Sequence, residues 1–516
     1  MKKLIQYHSI LASILVVIIG CSKDIVDRSE QFPALAPVQT DTNAGRWKPI
    51  LLSAADAIAI NTPLATTHPN YVLELSEIKS YQANLTAEQR ATIQYWSAGA
   101  VLRWNEILRT LVAKRNLPPY QNADGTYPFP NANNPLAYPI FPFANPPYAA
   151  RAYAYVAAAQ YDALVAAYYY KNQYRRDAPY KVDRAIQLLV PEQTDVYAYP
   201  SEDAVVLGAT LAVLQLLFPA DGAYLQEKAN EHRNYRIMAG ANTRSDIEAG
   251  EALGRAVAQL YITRARTDGA GAAAGNATIW QQFETDAINR NETPWISLES
   301  PRRPPMLPLF GKVRGFFIDS ATMVSLRPAP PPSVHSAQFK TELAEVLHFS
   351  KNATREQIRI AHFWADGVGT YTPPGHWNAI AAEAFIPKRF SEVRWARNMA
   401  LLNIAMFEGA INCWDTKYTY FNPRPSQIDP TIKSVTGVPN FPAYTSGHST
   451  FSAAAATVLT YLLPEQANNW NAMAKEASLS RLYGAIHYRS DCEVGLQCGN
   501  RVGSYAVARG RIDGAN

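Results

Sequence analysis

The chain has 516 residues, 48% of them apolar and 18% charged, and a formal net charge of +5. That length allows a large core, in one big domain or two fused bundles. The small charge excess, with no Lys/Arg stripe, excludes nucleic acid as a partner and leaves the basic residues as a solvated surface.

The N-terminus reads as a targeting segment. Lys2 and Lys3 precede an apolar run from Ile10 to Ile19 that is too short for a permanent membrane span. The run ends in Ile18-Ile19-Gly20-Cys21, the form of a bacterial lipobox. Residues 1–20 are therefore expected to be a lipoprotein signal peptide, with Cys21 lipidated; an ordinary cleaved signal peptide is the alternative. The expected product is an exported bacterial lipoprotein, periplasmic or anchored at the outer membrane, that meets the membrane only through its lipid. Residues 21–50 are polar, proline-containing and aperiodic, and read as a tether.

Helical signals dominate the rest. Thr86-Ala-Glu-Gln89 has capping-box form and opens a helix to about Arg115, stopped by Pro118-Pro119. Residues 116–147 form a proline- and aromatic-rich loop, too long for a mere connection and expected to drape over the bundle. Helices are predicted over 147–171, 202–218, 222–238 and 246–265, before a loop-rich stretch over 268–340. Further helices are predicted over 335–349, 355–366, 376–386, 391–416, 448–463, 466–482 and 491–510. Strand-like alternation is scarce, so the fold class is all-α.

The sequence also repeats itself. At an offset of 245 residues, Arg244-Ser-Asp-Ile-Glu-Ala-Gly250 lies over Arg489-Ser-Asp-Cys-Glu-Val-Gly495. At the same offset Ser201-Glu-Asp203 lies over Ser446-Gly-His448, and one residue more puts Lys171 over Lys417. The expectation is two tandem helical bundles with long Pro-rich loops. A degenerate copy would occupy 51–270, a connector 271–334 and a catalytic copy 335–516. In the first copy Asp203 replaces His448, Asn242 replaces His487, Glu202 replaces Gly447 and Ala178 replaces Arg424. Two carboxylates where an anion would sit should repel it, by about 1 kcal/mol each even in water-like dielectric. Ser245-Asp-Ile-Glu248 and Ser490-Asp-Cys-Glu493 have capping-box form, which predicts a helix starting at each serine. Gly495 and Gly499, one turn apart, predict a close helix–helix contact.

Cys413, Cys492 and Cys498 would remain in an oxidising compartment. Cys492 and Cys498 lie about 9 Å apart along one predicted helix, too far to bridge each other. Cys413 could pair with either, or all three could be buried free thiols.

Three runs in the last hundred residues carry the chemistry. They are Lys417-Tyr-Thr-Tyr-Phe-Asn-Pro-Arg424-Pro425, then Tyr444-Thr-Ser446-Gly447-His448, then Ser480-Arg481-Leu-Tyr-Gly-Ala-Ile-His487-Tyr-Arg-Ser-Asp491. Three cations, a hydroxyl, a glycine N–H at a helix start and two histidines are what a tetrahedral oxyanion such as phosphate or vanadate requires. The order and spacing of these runs resemble the signature of the vanadium-dependent haloperoxidases and type-2 phosphatidic acid phosphatases. Thr445 departs from the pattern, which usually has proline before Ser-Gly-His.

The resemblance implies roles. Lys417, Arg424 and Arg481 would neutralise the oxyanion, with Ser446 and Gly447 as donors. His487 would be the axial group, bound to vanadium in a haloperoxidase or attacking phosphorus in a phosphatase, with Asp491 orienting it and His448 as general acid/base. Trp414 and Phe441 match aromatic positions of the halide pocket, and Asp366 matches an aspartate that pairs with a site arginine, here Arg481. The implied activity is halide oxidation by hydrogen peroxide at a bound vanadate, with a small organic acceptor. The alternative is a periplasmic acid phosphatase that takes phosphomonoesters, uses His487 as nucleophile and holds phosphate instead of vanadate.

Overall fold

The computed structural model describes residues 32–193 and 195–515. The expected signal peptide and Cys21 lie outside the described residues. The expected tether does not hold where it can be seen. Leu35 N–H donates to Ser97 O at 2.7 Å, and Ala44 and Trp47 are buried. The N–H groups of Ile50, Leu51 and Leu52 donate to the buried Asp162 carboxylate at 2.6–2.8 Å. Polar composition suggested a free linker, but a buried carboxylate that collects three backbone donors turns this stretch into a strap.

The described residues are helical and contain no strand. In chain order the main helices are α1 (Pro69–Ala83), α2 (Ala87–Trp96), α3 (Ala100–Arg115), α4 (Pro146–Tyr174), α5 (Glu202–Leu217), α6 (Gly222–Met238), α7 (Arg244–Thr267) and α8 (Ala277–Asn289). They continue with α9 (Ala337–Asn352), α10 (Arg355–Phe363), α11 (Thr372–Phe385), α12 (Glu392–Tyr420), α13 (Gly447–Leu462), α14 (Ala467–Tyr483) and α15 (Arg489–Gly510). The single helix expected from Thr86 is broken at Gly99, whose φ of 117° no helix accepts. The draped loop before α4 is seen as expected, without regular helix.

Two 29-residue helices form the centre, α4 and α12. Both are buried on nearly every face and pack on each other, which is why their apolar residues run all round instead of forming one stripe. Around each the same sequence of parts follows. α5 and α13 both have 16 residues, and α6 and α14 both have 17. Each long helix also carries the same buried ion pair near its start. Arg151 Nε meets Asp268 at 2.7 Å, and Arg397 Nε meets Asp513 at 2.7 Å. Glu408 on α12 collects the Phe317 and Ile318 N–H groups at 2.5 and 3.0 Å, as Asp162 on α4 collects Ile50 to Leu52. Part of the expected connector is thus a second strap.

The α13–α15 contact is close, as the glycine spacing predicts. A Cβ on Gly499 would lie 2.3 Å from Thr450 O, and one on Gly495 2.8 Å from the Ser449 Cβ. The predicted caps are displaced by two residues. Thr243 and Tyr488, not Ser245 and Ser490, precede these helices, and their N–H groups donate to Asp246 and Asp491 at 2.7 and 3.0 Å. The serines instead bond Glu74 and Glu342 of other helices. Cys413, Cys492 and Cys498 are buried free thiols. Among the described residues no single helix is long and apolar enough to cross a membrane.

Candidate active site

The three sequence runs converge where the end of α12, the start of α13, the end of α14 and the approach to α15 meet. Lys417, Arg424, Ser446, Arg481, His487 and Asp491 are all buried. Ser446 is the N-cap of α13, and its Oγ accepts from Ser449 N–H at 3.3 Å. The first N–H groups of α13 therefore face the cluster with the positive end of the helix. A Cβ on Gly447 would meet nothing nearer than 3.7 Å, so internal packing does not demand glycine there.

His487 is held at both nitrogens. Its Nδ1 lies 2.9 Å from Asp491 Oδ2 and its Nε2 lies 3.0 Å from Arg424 Nη1. A guanidinium can only donate. The ring is thus neutral, with its proton on Nδ1 and its lone pair on Nε2. Burial, together with Arg424, Lys417 and Arg481, keeps the His487 pKa well below the usual histidine range. Burial likewise pushes the Asp491 carboxyl upward.

Arg424 is fixed by Nε on Phe441 O at 2.9 Å and Nη1 on Ile486 O at 2.8 Å, and its buried Nη2 has no hydrogen-bond partner among the described residues. Arg481 is fixed by Ser480 Oγ and Ala361 O at 2.8 and 3.1 Å. Lys417 departs from its expected role as a direct oxyanion donor. Its Nζ donates to the carbonyls of Pro442, Ala443 and Thr445 at 2.7, 2.9 and 2.6 Å. Burial lowers the Lys417 pKa, but three carbonyl acceptors require the three hydrogens of the ammonium form. Lys417 therefore supplies charge and fixes the turn that leads into Ser446.

His448 is more exposed than the buried cluster, with 15% of its side chain accessible. Burial and the nearby Arg481 hold its pKa well below the usual value, so it is neutral at pH 7. The expected Asp366–Arg481 ion pair is not formed. Asp366 instead lies 3.1 Å from His376 Nδ1 and 3.8 Å from His448 Nε2. Two imidazoles face the Asp366 carboxylate, while Arg481 uses two of its five N–H donors on Ala361 and Ser480. Nothing in sequence spacing links His376 to Asp366, ten residues before it, as a partner.

Trp414 and Phe441 do meet, with ring centroids 5.1 Å apart, and Lys417 Nζ sits 5.0 Å from the Phe441 ring. The Trp414 Nε1 donates to Met306 O at 3.1 Å, so the indole presents its ring and not its N–H. Thr445 Oγ1 donates to Cys413 Sγ at 3.7 Å, which occupies its hydroxyl inside the same turn.

The equivalent place in the first half is filled by its own carboxylates. Glu202 lies 3.7 Å from Lys171, and Asp203 lies 3.3 Å from Arg236 and 3.5 Å from His232. Burial would raise the Asp203 pKa, but Arg236 and His232 hold it well below the carboxylate range. Both cations of this place, Lys171 and Arg236, are thus paired with carboxylates of the chain itself.

Residues 397–508, from α12 to α15, match the family model of the PAP2 superfamily. Two solved structures share the all-α fold. A bacterial vanadium-dependent iodoperoxidase superposes with a TM-score of 0.57 at 22% identity, over 79% of this chain and 95% of that one. The holo form of a bacterial vanadium-dependent chloroperoxidase gives 0.50 at 14% identity, over 74% and 96%. No characterised protein sequence matches the chain.

Proposed function

We propose that this protein is a vanadate-dependent haloperoxidase-like enzyme that oxidises halide with hydrogen peroxide. The observation that carries the reading is the buried Arg424 guanidinium, donating through Nη1 to His487 Nε2 while its Nη2 has no acceptor. A buried cation with an unmet donor beside a histidine lone pair and a helix N-terminus suits a tetrahedral oxyanion. Vanadate fits these residues, and when bound it supplies a Lewis-acid centre that activates peroxide toward halide.

The chain's own parts divide the remaining work. Arg424 and Arg481 neutralise the oxyanion directly and Lys417 does so from behind the turn. Ser446 and the Gly447 N–H donate to its oxygens. His487 presents Nε2, with Asp491 holding the proton on Nδ1. Neutral His448 accepts a proton from peroxide, and Asp366 stabilises the imidazolium formed there. The Trp414 and Phe441 rings form an apolar wall for a poorly hydrated halide, and a small organic acceptor takes the oxidised halogen. The lipobox at Cys21 supports an exported, lipid-anchored enzyme.

The test is calorimetric titration with orthovanadate. The intact protein should bind one equivalent, and His487→Ala and Arg424→Met should each weaken binding by at least tenfold. Unchanged affinity in both variants would contradict the reading. Phosphomonoester cleavage by the vanadate-free protein, inhibited by vanadate, would reassign the same residues to a phosphatase.

A further inference from the structure

Away from this site, the loop before α4 borders a solvent-open cavity of about 670 Å³. Its floor is built from the start of α4, the end of α5 and the end of α7, and its far wall is the segment Arg303–Leu307. The size is that of a small-molecule site, not of a packing defect.

The lining is strongly selective in its chemistry. Aromatic rings from Tyr127, Phe129, Phe141, Phe143 and Tyr148 line the space, and among the described residues no Asp, Glu or Lys does. Three arginines do. Arg151 is neutralised by Asp268 at 2.7 Å, and Arg303 by Glu299 at 2.8 Å. Arg266, in the last turn of α7, is exposed and forms no ion pair among the described residues, so it offers a positive charge at the solvent side of the lining. We infer that this cavity binds an aromatic organic acid, with its rings on the aromatic wall and its anionic group toward Arg266.

The cavity shares a wall with the candidate active site. Met306 lines it, and Met306 O accepts from Trp414 Nε1 and Tyr418 Oη at 3.1 and 2.7 Å. The binding site nevertheless stands apart from the halide chemistry, because its occupancy can be read without turnover.

The probe is 2-naphthoate, titrated calorimetrically into the full chain. One saturating equivalent is expected, with binding weakened at least tenfold by Arg266→Glu and by Gly271→Trp. Gly271 lines the cavity, and a Cβ there would meet nothing within 4 Å, so a larger side chain is added beside the space without a clash. Neutral 2-naphthalenemethanol should bind at least tenfold more weakly than the acid, and decanoate more weakly than naphthoate. Absence of saturable binding up to millimolar naphthoate, or affinity unchanged in both variants, would overturn the assignment. Equal binding of the neutral alcohol would remove the acid from it, and tighter binding of decanoate would remove the aromatic body.

Discussion

His487 is poised by two neighbours of opposite kind, a carboxylate that fixes its proton and a guanidinium that meets its lone pair. Asp491→Asn keeps an acceptor for Tyr488 N–H but no longer holds the Nδ1 proton by charge. Oxyanion affinity should fall by about 10- to 100-fold, as for other partners of ligating histidines, with the helical circular dichroism unchanged. Asp366 lies 3.8 Å from Nε2 of His448, whose pKa burial and Arg481 hold low. Asp366→Asn should lower that pKa further and move the acid limb of the rate profile to lower pH. An unshifted profile would leave Asp366 a purely structural partner of His376. The motif residues were legible in sequence because each chemical type recurs at a spacing the chemistry dictates. The three carbonyls on Lys417 and the Asp366–His376 contact were not, because they depend on how separate segments fold over one another.

The close α13–α15 contact sets the position of Ser446 and Gly447. Gly499→Ala would place a methyl 2.3 Å from Thr450 O and 2.7 Å from the Ala453 Cβ. It should destabilise the protein by about 1–3 kcal/mol, read by denaturant melts. Gly437→Ala, whose Cβ would meet nothing within 4 Å, should stay within about 0.5 kcal/mol of the parent. Helix existence was legible from periodicity and proline stops. Cap positions were not, since Asp246 and Asp491 won the backbone N–H groups by being buried, while Ser245 and Ser490 found carboxylates on other helices.

Helix lengths, a buried ion pair and a strap match around α4 and α12, and the ion pairs of Lys171 and Arg236 lie within the protein itself. The straps escaped the sequence reading because each depends on one buried carboxylate rather than on a local pattern. Burial pushes the Glu408 carboxyl up to about 7. Its folded pKa lies above the unfolded value, so folding favours the protonated form, and stability is lost as pH rises from about 4.5 toward 7. Glu408→Gln retains an acceptor for Phe317 and Ile318 without the charge. It should remove that part of the pH dependence and stabilise the protein at pH 8 by about 1–3 kcal/mol. A melting temperature equally pH-dependent in both proteins would refute this.

The most direct test strips the mature protein with EDTA at low pH, restores it with orthovanadate and follows bromide oxidation by hydrogen peroxide with a halogen-trapping dye. Activity should appear only after vanadate is restored and be absent in His487→Ala. Bromide oxidation that ignores vanadate, or that survives in His487→Ala, would contradict the account, as would a restored protein that oxidises no halide.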